Sequence, residues 1–199
     1  MCPSSTGKFW DETMRAGEDR SQANPKYYLD NGFPTAAVMA QYHTPIVEFV
    51  QQLGLSRDAR VLDLGCGNGA LLARLNLIRP DIVPCGVEWD RERLSFVRAI
   101  FPDGGGEWYA GDLFGCAEPW NGGRRYAAAL LMVGRLMEAN ESQVEVLRQR
   151  LRGQVDHIIG YAYPDWLWRY DSFADLCAAA RAMPTGKLGA TDFVARIQL

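Results

Sequence analysis

An α/β fold, with a doubly wound, mainly parallel sheet and helices on both faces, is what this chain of 199 residues predicts. Three observations carry the prediction. Short apolar runs that read as buried strands alternate with segments of helical spacing. The first such run passes through glycines directly into a helix pattern, at Val61-Leu62-Asp63-Leu64-Gly65-Cys66-Gly67-Asn68-Gly69. A composition of 48% hydrophobic and 23% charged residues fits one globular domain with a core of its own. Such alternation implies a parallel sheet covered on both sides. Ligands in such sheets bind beyond the carboxyl ends of the strands.

The elements follow in order. Residues 1–58 form an N-terminal helical extension, and residues 59–199 form the core of the single domain. The extension is rich in aromatics, at Phe9, Trp10, Tyr27, Tyr28, Phe33 and Tyr42. Its middle, Gly17 to Pro34, is polar and turn-rich. From Thr35 onward, Val38, Tyr42, Ile46, Phe49, Val50 and Leu53 give an amphipathic helix, or a helix pair broken near Pro45. Val61 to Asp63 starts the sheet. Ile82 to Val87 is the second strand, ended by Glu88, 25 residues after Asp63, about one strand–helix–strand unit. Asp90 reads as the N-cap of a helix through Leu94, Val97 and Ile100. Trp108 to Ala110 is the third strand, after the Gly104-Gly105-Gly106 turn, and Arg124 to Val133 the fourth. Val144, Leu147 and Leu151 place a helix over Glu141 to Leu151. Val155 to Tyr163 is the fifth strand, Ser172 to Met183 the next helix, and Phe193 to Leu199 the final strand.

The glycine turn carries the chemistry. Glycines permit positive φ and close approach of a ligand, because no Cβ intervenes. The turn and the helix after it present unpaired N–H groups. Gly65-x-Gly67-x-x-Ala70 formally matches a dinucleotide fingerprint. Asp63, just before the glycines, is a poor neighbour for a pyrophosphate and suits a ligand that carries an ammonium. With Asp63-Leu64-Gly65-Cys66-Gly67-Asn68-Gly69, the sequence resembles the first motif of the class I, Rossmann-like S-adenosylmethionine-dependent methyltransferases. The resemblance covers 59–199 in topology and Asp63 to Leu113 in specific motifs.

That resemblance implies a set of roles. Asp63, Gly65 and Gly67 cradle S-adenosylmethionine, whose product is S-adenosylhomocysteine. Glu88 accepts the ribose hydroxyls. Trp89 lies against the adenine face or is a half-buried packing aromatic. Asp112 accepts from the adenine amino group, and the Leu113 N–H donates to a ring nitrogen. Two departures stand out. Ala127 occupies a region where members often carry an acid. After the fifth strand, members have a helix and two antiparallel strands, whereas only one clear strand remains here. Lys187-Leu188-Gly189-Ala190 is too short and glycine-marked, so the sixth strand is either missing or poorly encoded.

Methyl transfer asks mainly for alignment and exclusion of water. A base helps where the acceptor must lose a proton. His43 is the catalytic candidate, since His157 starts the fifth strand, away from the strand ends where ligands sit. Tyr27, Tyr28 and Arg135 are substrate-binding candidates, with Glu138 and Asp165-Trp166 bordering the same region. Arg135 anchors an acceptor carboxylate, or simply pairs with Glu138 three residues on. Phe9 to Pro34 is expected to form a lid over the cofactor, the alternative being that its aromatics pack the helix onto the sheet.

A small-molecule acceptor is the expectation. The net charge of −3 and pI of about 5.4 disfavour nucleic acid, which needs several phosphate contacts from a basic surface. Amino-methylating relatives acting on nucleic acid or glutamine commonly show Asn or Asp-Pro-Pro-Tyr/Phe after the fourth strand, where this chain has Val133-Gly134-Arg135-Leu136. The alternatives are a protein or nucleic-acid methyltransferase, an NAD-linked oxidoreductase, and a non-catalytic cofactor-binding scaffold. No apolar run spans a bilayer, so no membrane partner is expected. The five cysteines are scattered without C-x-x-C spacing, so a metal site is not expected. With no basic, apolar leader, the expected location is cytoplasmic. The acceptor atom and the oligomeric state have no sequence marker.

Overall fold

The computed structural model describes residues 24–101, 105–115, 124–185 and 192–199. Phe9, Trp10, Gly104 and Lys187 to Ala190, on which several expectations rest, lie outside them. The chain runs α1 (Pro25–Leu29), α2 (Ala36–Gln52), β1 (Arg60–Leu64), α3 (Ala70–Ile78), β2 (Val83–Glu88), α4 (Arg91–Ile100) and β3 (Glu107–Ala110). It continues with β4 (Tyr126–Met132), a 3-10 helix (Val133–Glu138), α5 (Glu141–Leu151), β5 (Val155–Tyr161), α6 (Pro164–Leu167), α7 (Phe173–Ala179), β6 (Met183–Pro184) and β7 (Val194–Gln198). The sheet has seven strands in the order β3-β2-β1-β4-β5-β7-β6. The first five pair in parallel, and β7 runs antiparallel to both β5 and β6. This is the doubly wound, Rossmann-like fold that the alternation predicts.

Burial explains the strand sequences. β1 and β4 are central and almost wholly buried, so they read as continuous apolar runs rather than alternating ones. Helices α1 to α4 cover one face, through a core that includes Tyr27, Met39, Leu72 and Val97. The other face is packed by Leu136, Leu147, Phe173 and Leu176 from the 3-10 helix, α5 and α7. Asp90 caps α4 as expected, accepting from Glu92 and Arg93 N–H at 2.8 and 3.3 Å. Asn140 and Gln143 close a reciprocal capping box on α5.

Three expectations are refined. Pro45 lies inside one continuous α2 rather than between two helices. An internal proline costs about 3 kcal/mol. Here Met39, His43, Ile46, Val47 and Val50 are buried on both sides of it, and that packing holds the helix together. The helix expected to reach Met183 ends at Ala179, because Arg181 takes a left-handed backbone (φ 55°). Met183 belongs instead to the sixth strand, which is present but two residues long. It pairs Met183 with Gln198 and Pro184 with Ile197. Proline is tolerated there because the strand is at the sheet edge.

Candidate functional site

β1 delivers its chain end into a turn that glycines favour. Gly65, Gly67 and Gly69 all have positive φ, at 83°, 55° and 81°. The N–H groups of Gly65 and Cys66 both donate to the Val87 carbonyl at 2.9 Å, which ties the turn to the end of β2. Glu88 completes the tie. Its Oε2 accepts from Gly67 N–H and its Oε1 from Asp90 N–H, each at 2.8 Å. The carboxylate is buried and fixed, with lone pairs left over on both oxygens.

Asp63 sits beneath the same turn and is only 1% exposed. Its Oδ1 is buried with no hydrogen-bond partner among the described residues. Burial first, and the negative charge of Glu88 second, push its carboxyl up to about 7. An unpartnered buried acceptor is costly unless a ligand meets it. A donor with positive charge, such as an ammonium, would suit this carboxylate, and a phosphate would not.

The extension folds over the turn. Asn68, fully buried inside the glycine sequence, donates from Nδ2 to the Tyr27 and Lys26 carbonyls at 3.1 and 3.3 Å. Its Oδ1 accepts from Asn31 Nδ2 at 2.9 Å and from Ala70 N–H at 3.3 Å. Lys26 pairs with Glu92 at 2.8 Å, and the Tyr27 hydroxyl donates to the Phe96 carbonyl at 3.0 Å. α1 and Asn31 just after it are thereby latched to the turn, and α1 also to α4. A cavity of about 500 Å³ opens between this segment, the glycine turn and the exits of β4 and β5. Its walls include Asn31, Gly65, Gly67, Arg135, Tyr163 and Trp166. Trp166 is seated directly on Gly134, where a Cβ would overlap its ring.

The predicted residues divide clearly. Gly65, Gly67 and Arg135 line the cavity, as do Glu138, Asp165 and Trp166. Arg135 also pairs with Glu138 at 2.9 Å. Leu113 is buried beside Gly65, with its Cδ2 3.7 Å from where a Cβ on that glycine would lie. Asp112 is exposed, its Oδ1 accepting from Phe114 N–H at 3.0 Å. Trp89 is 72% exposed, so it is not a packing aromatic, and it stands free beside Glu88.

Two groups of candidates are corrected. Tyr27 is a core residue packed edge-on against Phe96, and Tyr28 packs against the same core; neither lines the cavity. His43 is 1% exposed and off the cavity wall. Burial, with the Arg74 charge second, lowers its pKa to about 3 and holds it neutral. Its Nε2 lies 2.9 Å from the Tyr163 hydroxyl, so it reaches the cavity only through that tyrosine. It supports the wall and is not placed to take a proton from a ligand. Tyr163, Asn31, Asn68 and Arg169 are site residues that the sequence did not announce. Asn68 reads there as a spacer between glycines, Tyr163 as the last residue of the fifth strand, and Asn31 and Arg169 fall in stretches with no periodicity.

No protein-family model and no curated protein sequence matches the chain. Among solved structures, it is similar to the plantazolicin methyltransferase BpumL bound to SAH, at 15% identity and a TM-score of 0.46, covering 60% of this chain and 46% of that one. A second is an S-adenosylmethionine-dependent methyltransferase from Clostridium acetobutylicum, at 15% identity and 0.48, covering 74% and 57%. A third is the glycopeptide N-methyltransferase MtfA with sinefungin, at 18% and 0.49, covering 66% and 53%. The chain spans about half the length of these structures. At such identities, function has to be read from the residues at the site.

Proposed function

We propose that the protein binds S-adenosylmethionine and transfers its methyl group to a small-molecule acceptor. The observation that carries this is the pair of buried carboxylates, Asp63 and Glu88, on either side of a turn of positive-φ glycines. The unpartnered Asp63 oxygen favours a cationic ligand, and Glu88 offers acceptors to a ribose diol. A dinucleotide would also offer Glu88 a ribose but would bring its pyrophosphate against Asp63, which supports the sulfonium cofactor over NAD.

Each residue then has a task. Asp63 would hold the ammonium of the aminoacyl tail, and the Gly65 to Gly67 backbone would lie against it. Glu88 would take the ribose hydroxyls, Asp112 the adenine amino group and the Leu113 N–H a ring nitrogen. Trp89 would cover the adenine face. When bound, the cofactor supplies an activated methyl on a good leaving group. The chain orients the acceptor in the cavity end formed by Met132, Tyr163 and Trp166 and keeps water out. An acceptor that loses a proton would pass it to one of the acids that border the cavity, Asp30 or Asp165, since both Glu138 oxygens are taken by Arg135.

The test is incubation with S-adenosylmethionine and a panel of amine, phenol, thiol and carboxylate acceptors, followed by mass spectrometry. Acceptor-dependent S-adenosylhomocysteine is the expected result. Tight cofactor binding with no product from any acceptor class would instead identify a non-catalytic cofactor-binding scaffold.

A further inference from the structure

The tasks above use none of the three cations that border the cavity. Arg93, Arg135 and Arg169 all border it. Arg135 is paired with both Glu138 oxygens, at 2.9 and 3.2 Å. Arg93 donates to the Asp30 carbonyl at 3.3 Å and lies 3.9 Å from the Asp90 carboxylate. The Arg169 side chain meets no carboxylate or carbonyl among the described residues. It is held by aromatic faces instead. Its guanidinium carbon lies 4.9 Å from the Trp166 ring centre and 5.4 Å from that of Trp168. Trp166 is fixed in turn by its seat on Gly134.

A guanidinium stacked on rings uses its face and keeps its in-plane N–H fork available. That fork matches the two oxygens of a carboxylate. Asp165, four residues earlier, borders the same cavity but makes no ion pair with Arg169. The other charges set the valence of the ligand group. Asp30, Glu138 and Asp165 match the three arginines in number, so the wall carries no excess positive charge for a dianionic phosphate.

We infer that Arg169, held by Trp166 and Trp168, is a carboxylate anchor at the mouth of the cavity and a specificity-determining residue for what enters it. This rests on the proposed methyl-transfer function. The carboxylate has two sources, the acceptor or the aminoacyl tail of the cofactor, and the experiment separates them. Wild type, Arg169→Gln and Arg169→Lys are titrated calorimetrically with S-adenosylhomocysteine and with methylthioadenosine, which lacks the tail. Benzoate and benzamide are then titrated into each protein. Arg169 is exposed, so the variants are expected to fold, and a thermal melt checks this. Arg169→Gln should weaken a carboxylate ligand by about tenfold or more and leave its neutral counterpart unchanged, with Arg169→Lys between. Selective loss for S-adenosylhomocysteine assigns the anchor to the cofactor tail. Selective loss for benzoate assigns it to the acceptor. Equal affinity of the three proteins for every carboxylate, or no benzoate binding with S-adenosylhomocysteine unaffected, overturns the inference. Failure of wild type to bind either adenosine compound would overturn the cofactor assignment alone, and the benzoate titration would still decide Arg169.

Discussion

Replacing Asn68 by alanine should loosen the cover of the site more than the sheet beneath it. Asn68 makes four hydrogen bonds from a fully buried position, to Tyr27 O, Lys26 O, Asn31 Nδ2 and Ala70 N–H. The bonds do not count equally. Tyr27 O also accepts from Asn31 Nδ2 at 2.7 Å, so both of those groups keep a partner in the variant. The contacts to Lys26 O and Ala70 N–H are long, at 3.3 Å each, and Lys26 O keeps the Asp30 N–H at 3.1 Å, so only Ala70 N–H is left unmet. The loss therefore amounts to about two effective bonds, or roughly 2–3 kcal/mol with some cost for the group left unmet. It falls at the latch that ties α1 and Asn31 to the glycine turn. Hydrogen exchange should rise at Asn31 to Phe33 while β1 and β4 stay protected, and denaturant unfolding should report the same 2–3 kcal/mol, to order of magnitude. Asn68→Asp should be no better, because a carboxylate there faces two carbonyl oxygens. Unchanged exchange at Asn31 to Phe33, with stability within about 0.5 kcal/mol of wild type, would refute the latch.

Further predictions bear on the site and its supports. Asp63, raised to about 7, is protonated more readily folded than unfolded. Its contribution to stability is full below about pH 4 and is lost as pH rises through 7, an effect of a few kcal/mol that Asp63→Asn should abolish in pH-dependent unfolding. A ligand ammonium restores the charged form, so S-adenosylhomocysteine affinity should increase from pH 6 to pH 8 with proton release, seen by calorimetry in buffers of different ionisation enthalpy. A flat profile would contradict that assignment. His43, lowered to about 3, contributes stability above pH 6.5 that is lost as pH falls; a His43→Phe variant should lose that acid sensitivity and keep cofactor binding. Gly134→Ala should displace Trp166 from its seat, costing about 1–3 kcal/mol of stability and raising KM for the acceptor, measured by melting and steady-state kinetics. Trp89→Ala, at an exposed position, should leave the melting temperature unchanged and weaken adenosine binding by about tenfold, the scale of base–aromatic stacking; equal affinity would remove Trp89 from the site.

The parts of this molecule legible in the sequence are those where local chemistry and burial agree. Asp63 and the glycines declare their turn because no other residue takes φ of 83°, 55° and 81° in succession so readily. Asp90 declares a helix start because a short acidic side chain is the natural acceptor for the first N–H groups. What stayed hidden depends on distant contacts. Tyr27 and Tyr28 carry the right chemistry for a pocket, but α1 faces α4, and only the fold reveals that Tyr27 meets Phe96. His43 looks like a base until α2 is placed against the sheet and Tyr163 closes over it. β6 escapes notice because two exposed residues, one of them proline, have neither length nor alternation. Arg169 sits in a stretch without periodicity and acquires meaning only from the two tryptophans that hold it.

The central claim is that the glycine turn, with Asp63 and Glu88, binds S-adenosylmethionine. Calorimetric titration of the protein with S-adenosylmethionine, with NAD in parallel and Glu88→Gln as the matched variant, tests it most directly. Micromolar binding of S-adenosylmethionine is expected, with no measurable binding of NAD and a loss of about tenfold or more in a variant whose melting confirms that it is folded. Tighter binding of NAD than of S-adenosylmethionine, or equal affinity in the folded variant, would contradict it.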